Sequence, residues 1–64
     1  MVKINGELVD VAGKTITEYL VTTSYDVKRI AIERNGEIVA KVTYESTVLM
    51  DGDIIEVVSF VGGG

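Results

Sequence analysis

Three short stretches of this 64-residue chain hold residue types whose spacing could do chemistry: Gly13-Lys14-Thr15, Asp51-Gly52-Asp53, and the closing run Ser59-Phe60-Val61-Gly62-Gly63-Gly64. Gly-Lys-Thr ahead of a helix is how a phosphate-binding loop ends. That loop needs another glycine five positions before Gly13, where the chain has Leu8, and a far longer nucleotide-binding unit behind it. A turn leading into a capped helix accounts for the triplet. Asp51 and Asp53 flank a glycine as in a calcium loop, but the remaining ligand positions and the closing glutamate are missing. A turn is again the reading. Ser24, Ser46 and Ser59 have no base to activate them, because the chain has no histidine; with no cysteine either, thiolate nucleophiles and the usual zinc sites are excluded. The expectation is no catalytic residue and no metal ligand.

The closing run is different. Glycine brings no side chain to bury and loses the most conformational freedom on ordering, so three in a row suit neither core nor strand. Val61–Gly64 would extend roughly 13–14 Å from a sheet, thin enough to enter a narrow tunnel and offer the Gly64 α-carboxylate at its tip. A carboxylate is a poor acyl donor; adenylation by ATP would make it a mixed anhydride open to a nucleophile. The same glycines also read as a frayed end or linker remnant.

The elements that would position this end follow from turn chemistry and periodicity. Asn5-Gly6 and Asn35-Gly36 each suit the positive-φ pair of a two-residue hairpin, joining "MVKI" to "ELVDV" and "RIAIER" to "EIVAKV". Asp51-Gly52 precedes "DIIEVVSF", the most β-prone run. Between the hairpins, Thr15 and Glu18 have capping-box spacing, and Ile16, Tyr19, Leu20 and Thr23 form one stripe, predicting a helix over 15–23. One helix and five strands pack most economically as a single mixed sheet covered on one face, an α+β roll. The expected core is Ile4, Val9 or Val11, Ile16, Leu20, Ile30, Ile32, Ile38, Leu49, Ile55 and Val57. If Ile55 and Val57 face the helix, alternation puts Val58 and Phe60 on the open face beside Glu56, a contact surface leading straight into the tail.

Length and composition bound the rest. Sixty-four residues make one domain with a thin core. The net charge is −4; residues 1–41 carry six acids and six bases, whereas 42–64 carry Glu45, Asp51, Asp53 and Glu56 and no base. A phosphate backbone would be repelled, so no nucleic acid is expected, while a basic protein surface is a plausible partner. No apolar run approaches the ~20 residues that span a membrane, and no signal-like leader is present, so a soluble cytoplasmic protein is expected.

With "IERNGEIV" at 32–39, "DGDIIEVVSFVGGG" at 51–64 and the hairpin–helix–hairpin–strand order, the whole chain resembles the ThiS sulfur carriers of thiamin biosynthesis. The resemblance implies a ubiquitin-like β-grasp domain over 1–60, a mixed five-stranded sheet packed on one helix, and a flexible reactive tail over 61–64. It implies a carrier and not an enzyme, with no cofactor of its own. A ThiF-type enzyme, using ATP and magnesium, would adenylate Gly64; sulfur from a persulfide protein would convert it to a thiocarboxylate; thiazole synthase (ThiG) would receive the sulfur. Gly63 and Gly64 match the reactive diglycine, and Gly62 adds flexibility. Val58 and Phe60 fall where such carriers touch partners, with Glu56 and Val61 beside them. A carrier for molybdopterin or another sulfur metabolite, and a ubiquitin-like protein modifier, are the alternatives.

Overall fold

The computed structural model describes residues 1–60. Strands β1 (Val2–Ile4) and β2 (Glu7–Val9) form the first hairpin, helix α1 (Ile16–Val21) follows, β3 (Ile30–Arg34) and β4 (Glu37–Ile38) form the second hairpin, and β5 (Ile54–Ser59) is last. The sheet order is β2-β1-β5-β3-β4, with β1 and β5 parallel and the other neighbours antiparallel.

Both Asn-Gly turns take the expected conformation, with φ of 50° and 83° at Asn5-Gly6 and 52° and 87° at Asn35-Gly36. The asparagines do more than turn the chain. Asn35 pairs with Ile54 twice: its N–H donates to the Ile54 carbonyl at 2.8 Å, and its side-chain oxygen accepts the Ile54 N–H at 2.9 Å. Asn5 acts on the other side of β5. Its N–H donates to the Ile55 carbonyl, its Oδ1 accepts the Val57 N–H at 2.8 Å, and its amide nitrogen donates to the Val57 carbonyl at 3.3 Å. The two turns therefore hold β5 from both flanks.

Helix α1 begins as its sequence dictates. Thr15 Oγ1 accepts the Glu18 N–H at 3.1 Å and the Thr15 N–H donates to Glu18 Oε1 at 2.8 Å, so two donors at the helix start are satisfied reciprocally. The helix stops at Val21, two residues before the expected end. Thr22 and Thr23 turn their hydroxyls onto the Tyr19 and Leu20 carbonyls at 2.7 and 2.8 Å, an alternative that these side chains offer to continued helix. At six residues α1 is held by packing, not propensity.

The core gathers Ile16 and Leu20 of α1 against Val2, Ile4, Ile30, Ile32, Ile55 and Val57 of the sheet, with Val11, Tyr44 and Leu49 closing its ends. Each such aliphatic side chain contributes roughly 1.5–3 kcal/mol on burial. Val9 is only partly buried and packs at the margin. Ile38 is a correction: it is 76% exposed. It pairs with Glu33, next to inward-facing Ile32, so the hairpin register turns it to the opposite face. Val2 and Tyr44 are core residues that the expected set omitted.

The second hairpin is also shorter than "EIVAKV" suggests. After the Val39 N–H reaches the Ile32 carbonyl, the chain leaves the sheet into a 3₁₀ turn at Lys41–Thr43. Thr43 Oγ1 donates to the Ala40 carbonyl at 2.7 Å and Thr47 Oγ1 to the Thr43 carbonyl at 2.8 Å, stabilising the turn locally. Tyr44 then drops inward. Burial pushes its phenol up, and the nearby Ile32 backbone tempers that rise.

Candidate functional site

The first two candidate motifs are absorbed by the fold. Gly13 has φ of +91°, donates its N–H to the Leu49 carbonyl at 2.7 Å and leads to Thr15, the N-cap of α1. Gly52 turns with φ of +89°, and Asp53 is buried behind it. One Asp53 oxygen accepts the Met50 N–H at 2.9 Å and the Arg34 guanidinium at 2.9 Å; the other accepts the Asn35 amide at 3.2 Å. Burial alone would raise its pKa, but these donors together hold the carboxyl below the usual value. Asp53 thus ties the last turn to the second hairpin.

The remaining candidates lie on β5. Ile55 and Val57 point to the helix, so Ile54, Glu56 and Val58 stand on the other face. Val58 is 43% exposed and Phe60, just past the strand, 54%. The Phe60 N–H donates to the carbonyl of Arg29, the residue before β3, at 2.7 Å, so the backbone is still anchored beside the sheet at the last described residue. Glu56, Val58 and Phe60 are therefore together on the open face, as alternation indicated. Val61, Gly62, Gly63 and Gly64 lie outside the described residues.

The register shows that this face is wider than the sequence reading gave. Lys3 of β1 stands between Leu8 and Ile54; Ala31 is opposite Val58; Glu33 is opposite Glu56 and flanked by Ile38 on β4. Leu8, Ile38 and Ile54 are all more than half exposed. A face with these apolar residues is the kind that marks a contact surface. Near its middle, Glu33 and Glu56 form a cross-strand pair of like charge, which weakens a sheet on its own. The two-residue Asn35-Gly36 turn was the missed signal: it pairs Arg34 with Glu37 and Glu33 with Ile38, which fixes Ile38 and Glu33 on the open side.

Comparisons with known proteins agree with this geometry. A model of the ThiS family matches residues 2–64. The chain is 41% identical to the sulfur carrier protein ThiS of Bacillus subtilis, covering 100% of both chains. It is 42% identical to a thiazole synthase of Paramagnetospirillum magneticum over 95% of this chain, although it spans only 19% of that protein's length. Among solved structures it is similar to the thiamine biosynthesis protein ThiS of Geobacter metallireducens, with a TM-score of 0.78 at 31% identity, covering 98% of this chain and 97% of the other. The order of strands and helix, the ubiquitin-like β-grasp they form, and the full-length matches lead to one conclusion: this chain belongs to the ThiS family.

Proposed function

We propose that this protein is the sulfur carrier of thiamin biosynthesis, with residues 1–60 as the docking body and 61–64 as the reactive tail. The observation that carries the reading is the end-to-end match to a ThiS sulfur carrier, joined to an open sheet face that leads into the glycine run. The protein is a substrate of other enzymes and not a catalyst itself. A ThiF-type enzyme with ATP and magnesium joins AMP to the Gly64 carboxylate, releasing pyrophosphate. A persulfide protein's terminal sulfur displaces AMP; a thiol then reduces the sulfur–sulfur bond and leaves a thiocarboxylate. Thiazole synthase takes that sulfur. Gly62 and Gly63 carry Gly64 into both active sites, because only glycine passes a narrow channel with unrestricted torsions.

Val58, Phe60, Val61 and Glu56 meet the partners, helped by Ile54 and Leu8 on the same face. A basic partner side chain seated between Glu33 and Glu56 would relieve their repulsion, a complementarity that favours the correct partner over an acidic one. The thiazole synthase among the relatives supports thiamin over molybdopterin as the pathway.

The test is an intact mass after incubation with a ThiF-type enzyme, ATP, magnesium and a persulfide donor. The expected gain is that of one oxygen replaced by one sulfur, lost when Gly64 is deleted. An unchanged mass in the presence of a competent enzyme rejects the carrier reading. Covalent adducts on cellular lysines would instead show a protein modifier.

A further inference from the structure

Asn5-Gly6 and Asn35-Gly36 share a chemistry beyond turning the chain. In an Asn-Gly pair the glycine nitrogen can attack the asparagine Cγ. The side-chain amide leaves as ammonia, and water opens the resulting succinimide to aspartate or isoaspartate. The reaction needs no enzyme and no oxidant, only a side chain free to swing its Cγ onto the next nitrogen. At both turns the fold restrains that swing. Asn35 Oδ1 accepts the Ile54 N–H at 2.9 Å, and its Nδ2 donates to Asp53 Oδ1 at 3.2 Å. Asn5 Oδ1 accepts the Val57 N–H at 2.8 Å, while its Nδ2 reaches the Val57 carbonyl at 3.3 Å and the Tyr25 hydroxyl at 3.4 Å. Cyclisation at either turn must first break these bonds.

The two turns differ in what the product would meet. Conversion to aspartate exchanges the side-chain NH₂ for oxygen. At position 35 the new carboxylate faces the oxygen of buried Asp53 that Nδ2 held before, and Arg34 is already engaged by the other Asp53 oxygen at 2.9 Å. Two like charges in such a site repel. At position 5 the neighbours are a carbonyl and a hydroxyl, and the Tyr25 hydroxyl can turn and donate to a carboxylate.

We propose that Asn35-Gly36 is a deamidation site which the fold holds closed, and that its conversion prevents the second hairpin from rejoining Asp53. Opening is local: the hairpin and the last turn need only part from each other. Once aspartate forms, reclosure sets it against Asp53; isoaspartate, which adds a carbon to the backbone, breaks the two-residue turn outright. Each opening thus carries a risk of one-way damage at the anchor of the last turn. The inference stands apart from the carrier reading, because it involves neither the tail nor a partner.

Trypsin separates the two sites, since it cuts after Lys3 and after Arg34. The parent is held in alkaline buffer and in unfolding urea, and each peptide is followed for the mass gain of NH exchanged for O. Both asparagines should convert in urea, and in native buffer each should convert more than about tenfold more slowly, since two hydrogen bonds must open first. Native conversion of Asn35 as fast as in urea overturns the proposal. Asp53→Ala removes the acceptor of Asn35 Nδ2 and should raise native conversion of Asn35 about tenfold relative to Asn5. Thr15→Ala weakens the fold elsewhere and should leave that ratio unchanged. An unchanged ratio in folded Asp53→Ala overturns the closed site; should this variant unfold, the comparison of native parent with parent in urea decides. The consequence is read from urea midpoints. Asn35→Asp should unfold at lower urea than Asn5→Asp, and adding Asp53→Asn to Asn35→Asp should recover part of the loss by again facing one amide with one carboxylate. An Asn35→Asp midpoint equal to the parent's overturns the proposal.

Discussion

Asp53 is a carboxylate in a site that would be costly for a lone charge, and the donors around it make it tolerable: the Met50 N–H, the Asn35 amide and the Arg34 guanidinium. Its folded-state pKa is lowered, so its contribution to stability is fully present above the unfolded value of about 3.9 and is lost as pH falls through the folded one. Urea unfolding should therefore give constant stability from neutral pH to about 5 and a decline below 4, and Asp53→Asn should flatten that decline while lowering stability at pH 7. The sequence marked Asp53 as a turn residue but not as this anchor, because Arg34 and Asn35 are distant along the chain and only the pairing of β3 with β5 unites them. Ile38 was misplaced for a related reason. Its hydrophobicity argues for burial, yet two residues of β4 give too little alternation to reveal a face, and the hairpin register decides instead.

At the scale of elements, local chemistry was most informative where one residue satisfies another nearby. The capping box and both Asn-Gly turns were legible because their partners lie within a few positions. Thr15→Ala removes the acceptor for the Glu18 N–H and should cost about 1 kcal/mol, read as a lowered denaturation midpoint with unchanged m-value. A loss much larger than that would mean Thr15 also holds the loop at Val48, with which it forms an isolated bridge. The segment after β4 was read as strand from its β-branched residues, whereas threonine hydroxyls bound to nearby carbonyls favour a turn there. Strand propensity describes a surface to pack on, and past Val39 no strand among the described residues is beside it.

For the whole molecule, the core and the proposed contact surface occupy opposite faces of one sheet. The helix side carries the apolar core, and the other side carries Leu8, Ile54, Val58 and Phe60 around two glutamates. Substitutions on the second face should leave folding almost untouched. Phe60→Ala should change stability by less than about 0.5 kcal/mol yet weaken binding to a ThiF-type enzyme about tenfold. A stability loss equal to the binding loss would place Phe60 in the core. The division also explains why the open face was only partly legible: alternation along β5 reveals one column of it, while Leu8, Glu33 and Ile38 join through pairings between strands.

The parallel contact between β1 and β5 has a consequence for how the protein comes into being. The first and last strands of this sheet are neighbours, separated in sequence by most of the described residues. Contacts that span so much chain form late and close a long loop at entropic cost. During synthesis, β1 and β2 emerge as a hairpin before the other strands of this sheet, and such a hairpin is at best marginally stable alone. The sheet can close only once β5 has left the ribosome, so the strand that carries Glu56 and Val58 is also the one that completes the fold.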